Sequence, residues 1–223
     1  MIPRLTPTPR LTATLRPTAT LRLTLALLLT ATPLWAEATP GAVALYMQAR
    51  ALNDLGQTAK DPLLVLTAAH ILRGLTLTDT PRTPDPSPET PVPLTVLDPA
   101  TVLNTARALD AGAMFTDLID MVARQGGPTP RTLRATAATL DAGQTQTWTL
   151  AFFGDAYAEL AILGHGNGNL DLLVSDDKGA IVCQDNGSGD SALCGFTPTQ
   201  NGSFTVTITN AGTTPDGYIL LTN

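Results

Sequence analysis

Histidine and cysteine are scarce in this chain, which has only two of each among 223 residues. Because His70 and His165 are the only histidines, the sequence excludes a histidine-rich metal site and a His-Glu-x-x-His zinc motif. Ser188 lacks the glycine two positions earlier that a Gly-x-Ser-x-Gly nucleophile elbow requires. The sequence therefore carries no recognised set of catalytic residues.

Apolar runs long enough to cross a membrane are also missing. The run at 23–29 is interrupted by Thr24 and is followed by Thr30, Thr32 and Pro33. A transmembrane helix needs about 20 apolar residues, so we predict no membrane span in the mature chain.

The first 36 residues have the pattern of a signal peptide. Four arginines and no acidic residue precede or border the apolar run, and Ala36 offers a cleavage site before Glu37. An uncleaved anchor is the alternative, and the lack of a nearby cysteine argues against lipid attachment. We expect a periplasmic or secreted protein that begins at Glu37.

Basic residues are few once that segment is removed. The mature chain keeps nine of the 13 lysines and arginines and all 19 aspartates and glutamates, for a formal net charge of −10. Such a surface repels nucleic acids and anionic lipids, which excludes nucleic acid as a partner. The acidic residues fit either a solvated surface or cation binding.

Helical patterns occupy the first half of the mature chain. Alanine and leucine dominate 42–55, and the pairs Asp61-Pro62 and Asp98-Pro99 combine an N-cap with a first-turn proline. These signals predict helices over 42–55, 63–73, 99–111 and 113–124. Six prolines between 81 and 93 predict an exposed Pro-rich loop at 79–97.

Strand patterns fill the chain beyond 130. Short runs of threonine, valine, isoleucine and leucine predict eight strands, at 134–140, 145–153, 156–163, 170–175, 180–184, 193–196, 204–210 and 218–222. In the seventh, Phe204, Val206 and Ile208 alternate with threonines, so we expect one core face and one solvated face. The fold class is α+β with segregated parts, in which N-terminal helical hairpins precede an antiparallel β-sandwich.

The change of pattern near Gly126 defines the predicted domains. They are a signal peptide at 1–36, a helical region at 37–127, a linker at 128–135 and a sandwich at 136–223. We expect the helical and β parts to fold as separable units, because periodicity, composition and charge all change there.

Four segments of the second half carry a family resemblance. They are Gly-x-Thr-x-Thr-Trp at 143–148, Gly-x-Gly-x-Gly-Asn-Leu-Asp-Leu at 164–172, Phe-x-Pro at 196–198 followed by Gly-x-Phe-x-Val-x-Ile-x-Asn at 202–210, and Gly-Tyr-x-Leu-x-Thr-Asn at 217–223. Over 136–223 the chain resembles the bacterial pre-peptidase C-terminal domain. The resemblance implies a jelly-roll-like binding module of secreted proteins, some relatives of which bind calcium or matrix polymers. No peptidase precedes the module here, so the resemblance implies no catalytic role.

Acidic turns are candidate calcium ligands. Asn167, Asn169 and Asp171 place side-chain oxygens at alternate positions, as a calcium-binding loop does. Leu172 and Lys178 stand where an EF-hand has its glycine and its bidentate glutamate, which excludes that motif. The remaining candidates are Asp176, Asp177, Asp185 and Asp190. Tight turns need the same residue types, so turn chemistry is the alternative, and no other cofactor is expected.

The two cysteines predict a disulfide. Cys183 ends one predicted strand and Cys194 begins the next, so the chain returns between neighbouring strands at a distance that suits a bridge. In an exported protein an even cysteine count favours oxidation. We therefore expect a Cys183–Cys194 disulfide that holds an acidic, glycine-rich loop.

Two functions remain open. The first is a non-catalytic secreted or periplasmic protein with a sandwich module for binding or stability, whose partner is an envelope or extracellular protein or a polysaccharide. The second is a small secreted hydrolase or a peptidase accessory protein. His70 lies on an apolar helix, which favours a core or boundary histidine. A hydrolase would need Asp110, Asp117 or Asp120 to face it across a cleft.

Overall fold

The computed structural model describes residues 40–87, 93–128, 130–166 and 168–223. The predicted signal peptide and the Ala36 cleavage site lie outside the described residues. The helices are α1 (Ala42–Ala59), α2 (Pro62–Leu72), α3 (Pro99–Leu109) and α4 (Thr116–Arg124). The strands are β1 (Leu75–Asp79), β2 (Arg131–Leu140), β3 (Thr145–Phe152), β4 (Ala158–Gly164), β5 (Leu170–Ser175), β6 (Ile181–Asp185), β7 (Ser191–Phe196), β8 (Gly202–Asn210) and β9 (Asp216–Thr222).

Both Asp-Pro pairs begin helices as predicted. Asp61 Oδ1 accepts a hydrogen bond from Leu63 N at 2.8 Å, and Asp98 Oδ2 accepts one from Thr101 N at 2.8 Å. The hydrogen bonds from Thr101 hold the pKa of Asp98 below its usual value. These aspartates bond to N–H groups that have no acceptor within the helix.

The predicted helix end at Gly56 is wrong. The first helix continues to Ala59, and Lys60 caps it in the left-handed conformation with φ of 55°. Gly56 instead lies buried against α2, where a Cβ atom would come within 2.6 Å of Val65 Cγ2. Its small size allows α1 and α2 to approach closely, a requirement that sequence alone does not distinguish from helix termination.

The strands form two sheets that face each other. One has five strands in the order β1-β2-β9-β4-β7, and the other has four in the order β3-β8-β5-β6. Only β1 and β2 pair in parallel among the described strands. The structure confirms the predicted α+β class, with helices first and a largely antiparallel sandwich after them.

One strand, β1, was not predicted. Its sequence Leu-Thr-Leu-Thr-Asp alternates apolar and polar residues, but it is short and follows a helix directly. It pairs with β2 from Leu75↔Arg131 to Asp79↔Ala135. This pairing brings the end of α2 to the edge of the five-stranded sheet.

The five-stranded sheet is the middle layer of three. The helices cover one of its faces, where their apolar residues form a common cluster with Leu133, Ala161 and Leu221. The four-stranded sheet covers the other face and encloses Trp148, Leu160 and Val206. Being covered on both faces, β4 is buried at every position.

Glu159 connects the sheet to the helices. This residue of β4 is 2% exposed, and its carboxylate accepts hydrogen bonds from Gly41 N at 2.9 Å and Val43 N at 3.1 Å. The described residues from 40 onward form one compact unit, and β2 begins inside the predicted linker at 128–135. Separate folding of the helical and β parts stays a prediction.

The Pro-rich segment follows the edge of β3. Asp85 exchanges two backbone hydrogen bonds with Thr147, each 2.8 Å long, and Pro84 is buried. This part of the predicted exposed loop therefore protects the free edge of the four-stranded sheet. Residues 88–92 of the loop lie outside the described residues.

A chain of hydrogen bonds connects this segment to the core. Trp148 Nε1 donates to Tyr218 Oη at 3.0 Å, and Tyr218 Oη donates to Gln146 Oε1 at 2.7 Å. Gln146 Nε2 then donates to Pro86 O at 3.0 Å. Because Trp148 and Tyr218 are fully buried, these bonds satisfy polar atoms that water does not reach.

Alkaline pH is expected to destabilise the protein through its buried tyrosines. Burial raises the pKa of Tyr218 and of Tyr46 above the ordinary value near 10. Above pH 10 the unfolded chain therefore loses phenolic protons that the folded protein keeps. Between the unfolded and the folded pKa of each tyrosine, the free energy of unfolding should fall by up to about 1.4 kcal/mol per pH unit, and it should be independent of these groups below pH 9.

Urea titrations at pH 8 to 11.5 measure this effect. Tyr218→Phe should lose part of the alkaline slope, while at neutral pH it should be less stable by about 1–3 kcal/mol because Trp148 and Gln146 lose their partner. An equal slope in wild type and variant would contradict the assignment to Tyr218.

Candidate functional site

The predicted calcium ligands divide between the two ends of the sandwich. Antiparallel pairing brings the β4–β5, β6–β7 and β8–β9 connections together at one end, here named the acidic end. It carries Asn169, Asp185 and Asp190, with Asp171 nearby on β5. Asp176 and Asp177 lie beyond the other end of β5, and Asn167 lies outside the described residues.

Two of these aspartates accept hydrogen bonds from backbone N–H groups in and around their own turns. Asp176 Oδ1 accepts from Lys178 N at 2.9 Å and from Ala180 N at 2.8 Å. Asp185 accepts from Gly187 N at 3.3 Å and from Leu193 N at 3.0 Å. No three histidine, cysteine, aspartate or glutamate side chains converge on a metal-sized site within the described part of the chain. Calcium binding by the predicted set stays a prediction.

The predicted disulfide is confirmed. Cys183 and Cys194 are bonded, with 5.8 Å between their Cα atoms. Because β6 is an edge strand of one sheet and β7 an edge strand of the other, the bridge joins the two sheets. Such a bond is characteristic of extracellular and periplasmic proteins.

At the end of the sandwich opposite the acidic end lies a cleft of about 400 Å³, called the cleft below. Its lining includes Phe196 and Phe204, whose ring centroids are 5.3 Å apart. Both rings meet Phe152 edge to face, at centroid distances of 5.4 and 5.7 Å. The polar residues that line it include Asp176, Asp177, Lys178, Thr199 and Gln200. An aromatic wall with a polar rim is typical of small-molecule binding sites.

Two exposed aromatic side chains belong to the β3–β4 connection, which lies at the same end of the sandwich as the cleft but does not contribute to its lining. Phe153 is 76% exposed and Tyr157 is 49% exposed. Their loop is held against the cleft-lining segment, because Gly154 N donates to Asn201 Oδ1 at 2.8 Å and Asp155 N donates to Pro198 O at 2.8 Å. Sequence reasoning placed both residues at strand ends, although aromatic residues that flank a Gly-Asp turn are a recognisable signal.

The residues of the hydrolase alternative have other partners. Asp110 accepts from Met114 N at 2.9 Å and Phe115 N at 3.0 Å, and Asp120 pairs with Arg107 at 2.9 Å. Asp117 lies in the first turn of α4. Among these described residues, no hydrogen bond or ion pair joins an aspartate to His70, whose Nδ1 is buried without a partner.

No helix in the described ranges is long and apolar enough to cross a membrane.

Comparisons with known proteins identify solved structures that are similar to part of this chain. No protein-family model and no curated protein sequence matches the chain. The pre-peptidase C-terminal domain of a collagenase from Bacillus anthracis is similar at 14% identity over 39% of this chain and 86% of that chain, with a TM-score of 0.32. It belongs to the family that the sequence motifs resemble.

Two other similar structures carry different functions. A periplasmic inhibitor of g-type lysozyme from Aeromonas hydrophila is 11% identical over 41% of this chain and 84% of that chain, with a TM-score of 0.32. The carbohydrate-binding module CBM36, solved with calcium and xylotriose, is 14% identical over 45% of this chain and 82% of that chain, with a TM-score of 0.25. At these values none of the three assigns a ligand or a reaction to this chain.

Proposed function

We propose that this protein is an exported, non-catalytic binding module whose cleft binds a polysaccharide of the cell envelope or its surroundings. The observation that carries the proposal is the composition of the cleft. Its aromatic inner wall and its polar rim occur together at the end of the sandwich that also exposes Phe153 and Tyr157.

The chemistry of the cleft suits a ligand rich in hydroxyl groups. On its rim, carboxylates accept hydrogen bonds, and amide and hydroxyl side chains both accept and donate them, as sugar hydroxyls require. Phe153 and Tyr157 expose apolar ring surface at the same end of the sandwich, against which the C–H face of a sugar ring that extends beyond the cleft can pack. A net charge of −10 on the mature chain disfavours anionic polymers. A neutral polysaccharide is therefore the ligand that fits this surface.

Binding to neutral polysaccharides tests the proposal. Affinity electrophoresis and calorimetry with soluble glucans, xylans and mannans should detect binding to one of these classes. Phe153→Ala and Tyr157→Ala should each weaken it by about 5- to 10-fold, because an aromatic contact contributes about 1 kcal/mol. Met114→Ala is the matched control, since Met114 is 79% exposed on the helical layer.

Each outcome decides between ligand classes. Weaker binding in both aromatic variants, with Met114→Ala unchanged, supports binding at the end of the sandwich that holds the cleft. Equal binding in all variants would contradict it. Absence of polysaccharide binding, together with aromatic-dependent capture of an envelope protein, would favour a protein partner.

Export is expected to remove the first 36 residues. The basic n-region and the short apolar run motivate cleavage after Ala36, and the disulfide is consistent with an oxidising compartment. Intact mass of protein purified from the periplasm or the medium should correspond to a chain that begins at Glu37. A product that retains Arg22 would contradict the assignment.

A further inference from the structure

A second cavity, of about 340 Å³, combines two arginines with apolar side chains. It is called the arginine pocket below, and its lining includes Arg82, Arg134, Leu150, Phe152 and Phe153. The ring of Phe152 meets the two phenylalanine rings that line the cleft, so both cavities lie beside the same aromatic cluster. Among the described residues, no aspartate or glutamate lines this pocket.

Strand pairing brings the two arginines to the same place. Arg134 of β2 is paired in register with Thr222 of β9, and Arg82 Nη2 donates to Thr222 Oγ1 at 3.0 Å. Thr136, two positions further along β2, donates from its Oγ1 to Thr80 O at 2.6 Å and so holds the segment that carries Arg82. Both arginines are therefore held beside the end of β9.

Neither arginine is neutralised by an acidic side chain. Within the described part of the chain, no aspartate or glutamate forms an ion pair with Arg82 or Arg134. Arg82 is half-buried, and its burial together with the neighbouring charge of Arg134 lowers the pKa of Arg82 below its ordinary value. Two neighbouring cations repel each other, more strongly where water is partly excluded, so an anion beside them is favoured.

Most hydrogen-bond donors of the two guanidinium groups are available to such an anion. Each guanidinium group has five N–H donors. Arg82 uses one for Thr222 Oγ1, and Arg134 uses one for the main-chain oxygen of Asn223 at 3.3 Å. The pair can therefore bind the two oxygens of a carboxylate in the planar geometry that guanidinium groups favour.

Size and net charge determine the class of anion. Leu150, Phe152 and Phe153 give the pocket an apolar wall, and its volume lies at the low end of the range for small-molecule sites. The net charge of −10 on the mature chain repels a long anionic polymer. A small molecule with one negative charge experiences little of this repulsion.

We propose that the arginine pocket binds a small organic acid, whose carboxylate pairs with Arg82 and Arg134 and whose apolar body packs against its aromatic wall. The pocket and the cleft have no lining residue in common. This site therefore stands independently of the proposed polysaccharide binding.

Binding of 3-phenylpropionate to the purified protein tests the site. Calorimetry and saturation-transfer NMR should give a Kd of about 1 mM, an ordinary affinity for a ligand of this size. The alcohol 3-phenylpropanol has the same apolar body without the charge, and acetate has the charge without that body. Each should bind at least about tenfold more weakly, because each loses one of the two kinds of contact.

Variants of the two arginines localise the binding. Arg82→Gln and Arg134→Gln should each weaken it by about tenfold through loss of a charge-assisted hydrogen bond. Arg82→Lys should bind more tightly than Arg82→Gln, because it keeps the charge. Arg124→Gln is the matched control, since it removes an exposed positive charge from α4 and should bind like wild type.

The same variants separate this site from the cleft. Arg82→Gln and Arg134→Gln should bind polysaccharide as wild type does, because neither arginine lines the cleft. Tyr157→Ala should bind 3-phenylpropionate as wild type does, because Tyr157 does not line the arginine pocket.

Each result supports or overturns the pocket. Binding of 3-phenylpropionate that is weakened in both glutamine variants and kept in Arg124→Gln supports it. Equal binding by these three variants, equal binding of 3-phenylpropanol, or no binding by wild type overturns it. Inorganic phosphate that binds as tightly as 3-phenylpropionate would show a site for anions in general and would overturn the organic acid. If Arg82→Gln does not fold, Arg134→Gln still decides, because Arg134 is exposed.

Discussion

Replacement of Glu159 by alanine is expected to lower the free energy of unfolding by about 3 kcal/mol. The carboxylate of Glu159 is buried and accepts from Gly41 N, Val43 N and Ala44 N, all at the beginning of α1. Alanine leaves these donors without an acceptor and removes a negative charge from the positive end of the helix dipole. Urea titration followed by circular dichroism measures the loss.

Two comparison variants identify the cause. Glu159→Gln keeps the shape and one oxygen acceptor, so we expect a smaller loss of about 1–2 kcal/mol from the missing charge. Asp117→Ala removes an exposed carboxylate from the first turn of α4 and should cost less than about 1 kcal/mol. A loss for Glu159→Ala no larger than that for Asp117→Ala would show that Glu159 does not anchor the helix.

Removal of the disulfide is expected to lower stability by a similar amount. Cys183 and Cys194 are separated by 11 positions, and closing a loop of this length contributes about 3 kcal/mol on the chain-entropy model. The Cys183→Ala, Cys194→Ala double variant should lose this amount in urea titration. Reductant should destabilise wild type by the same amount and leave the double variant unchanged.

Mass spectrometry checks the bond itself. Unreduced protein, unfolded in denaturant and treated with an alkylating reagent, should gain no mass, whereas prior reduction should allow two labels. Labelling of both cysteines without reduction would show that the bond is absent in the purified protein.

Local signals predicted most of the elements. Asp61 and Asp98 begin helices because their side chains bond to N–H groups only two or three residues away. The strand β5 was predicted at the observed bounds, and the alternation along β8 correctly separated core residues from threonines. In these cases the interacting atoms are close in sequence, so residue type and spacing contain the information.

The predicted calcium ligands at the acidic end stay a prediction, and the buried Asp216 at the same end was not among them. Asn169 and Asp190 were named from their turns, whereas Asp216 was not, since it stands alone before Gly217 in the sequence. Its proximity to Gly164 and Gly168 arises from the pairing of β9 with β4. Phe153 and Tyr157 were missed for a related reason, because only the folded loop brings them to the same end of the sandwich as the cleft.

The sequence by itself determined the local character of this protein: its acidic mature chain, helices followed by strands, and a cysteine pair placed for a disulfide. Only the tertiary structure decided how these parts meet. The packing of helices on the five-stranded sheet, the cap that Glu159 supplies and the burial of Asp216 all join segments that are separate in the sequence, up to 118 positions apart for Gly41 and Glu159. Such contacts form when apolar faces are buried together, and periodicity shows that a face is apolar without showing which face covers it.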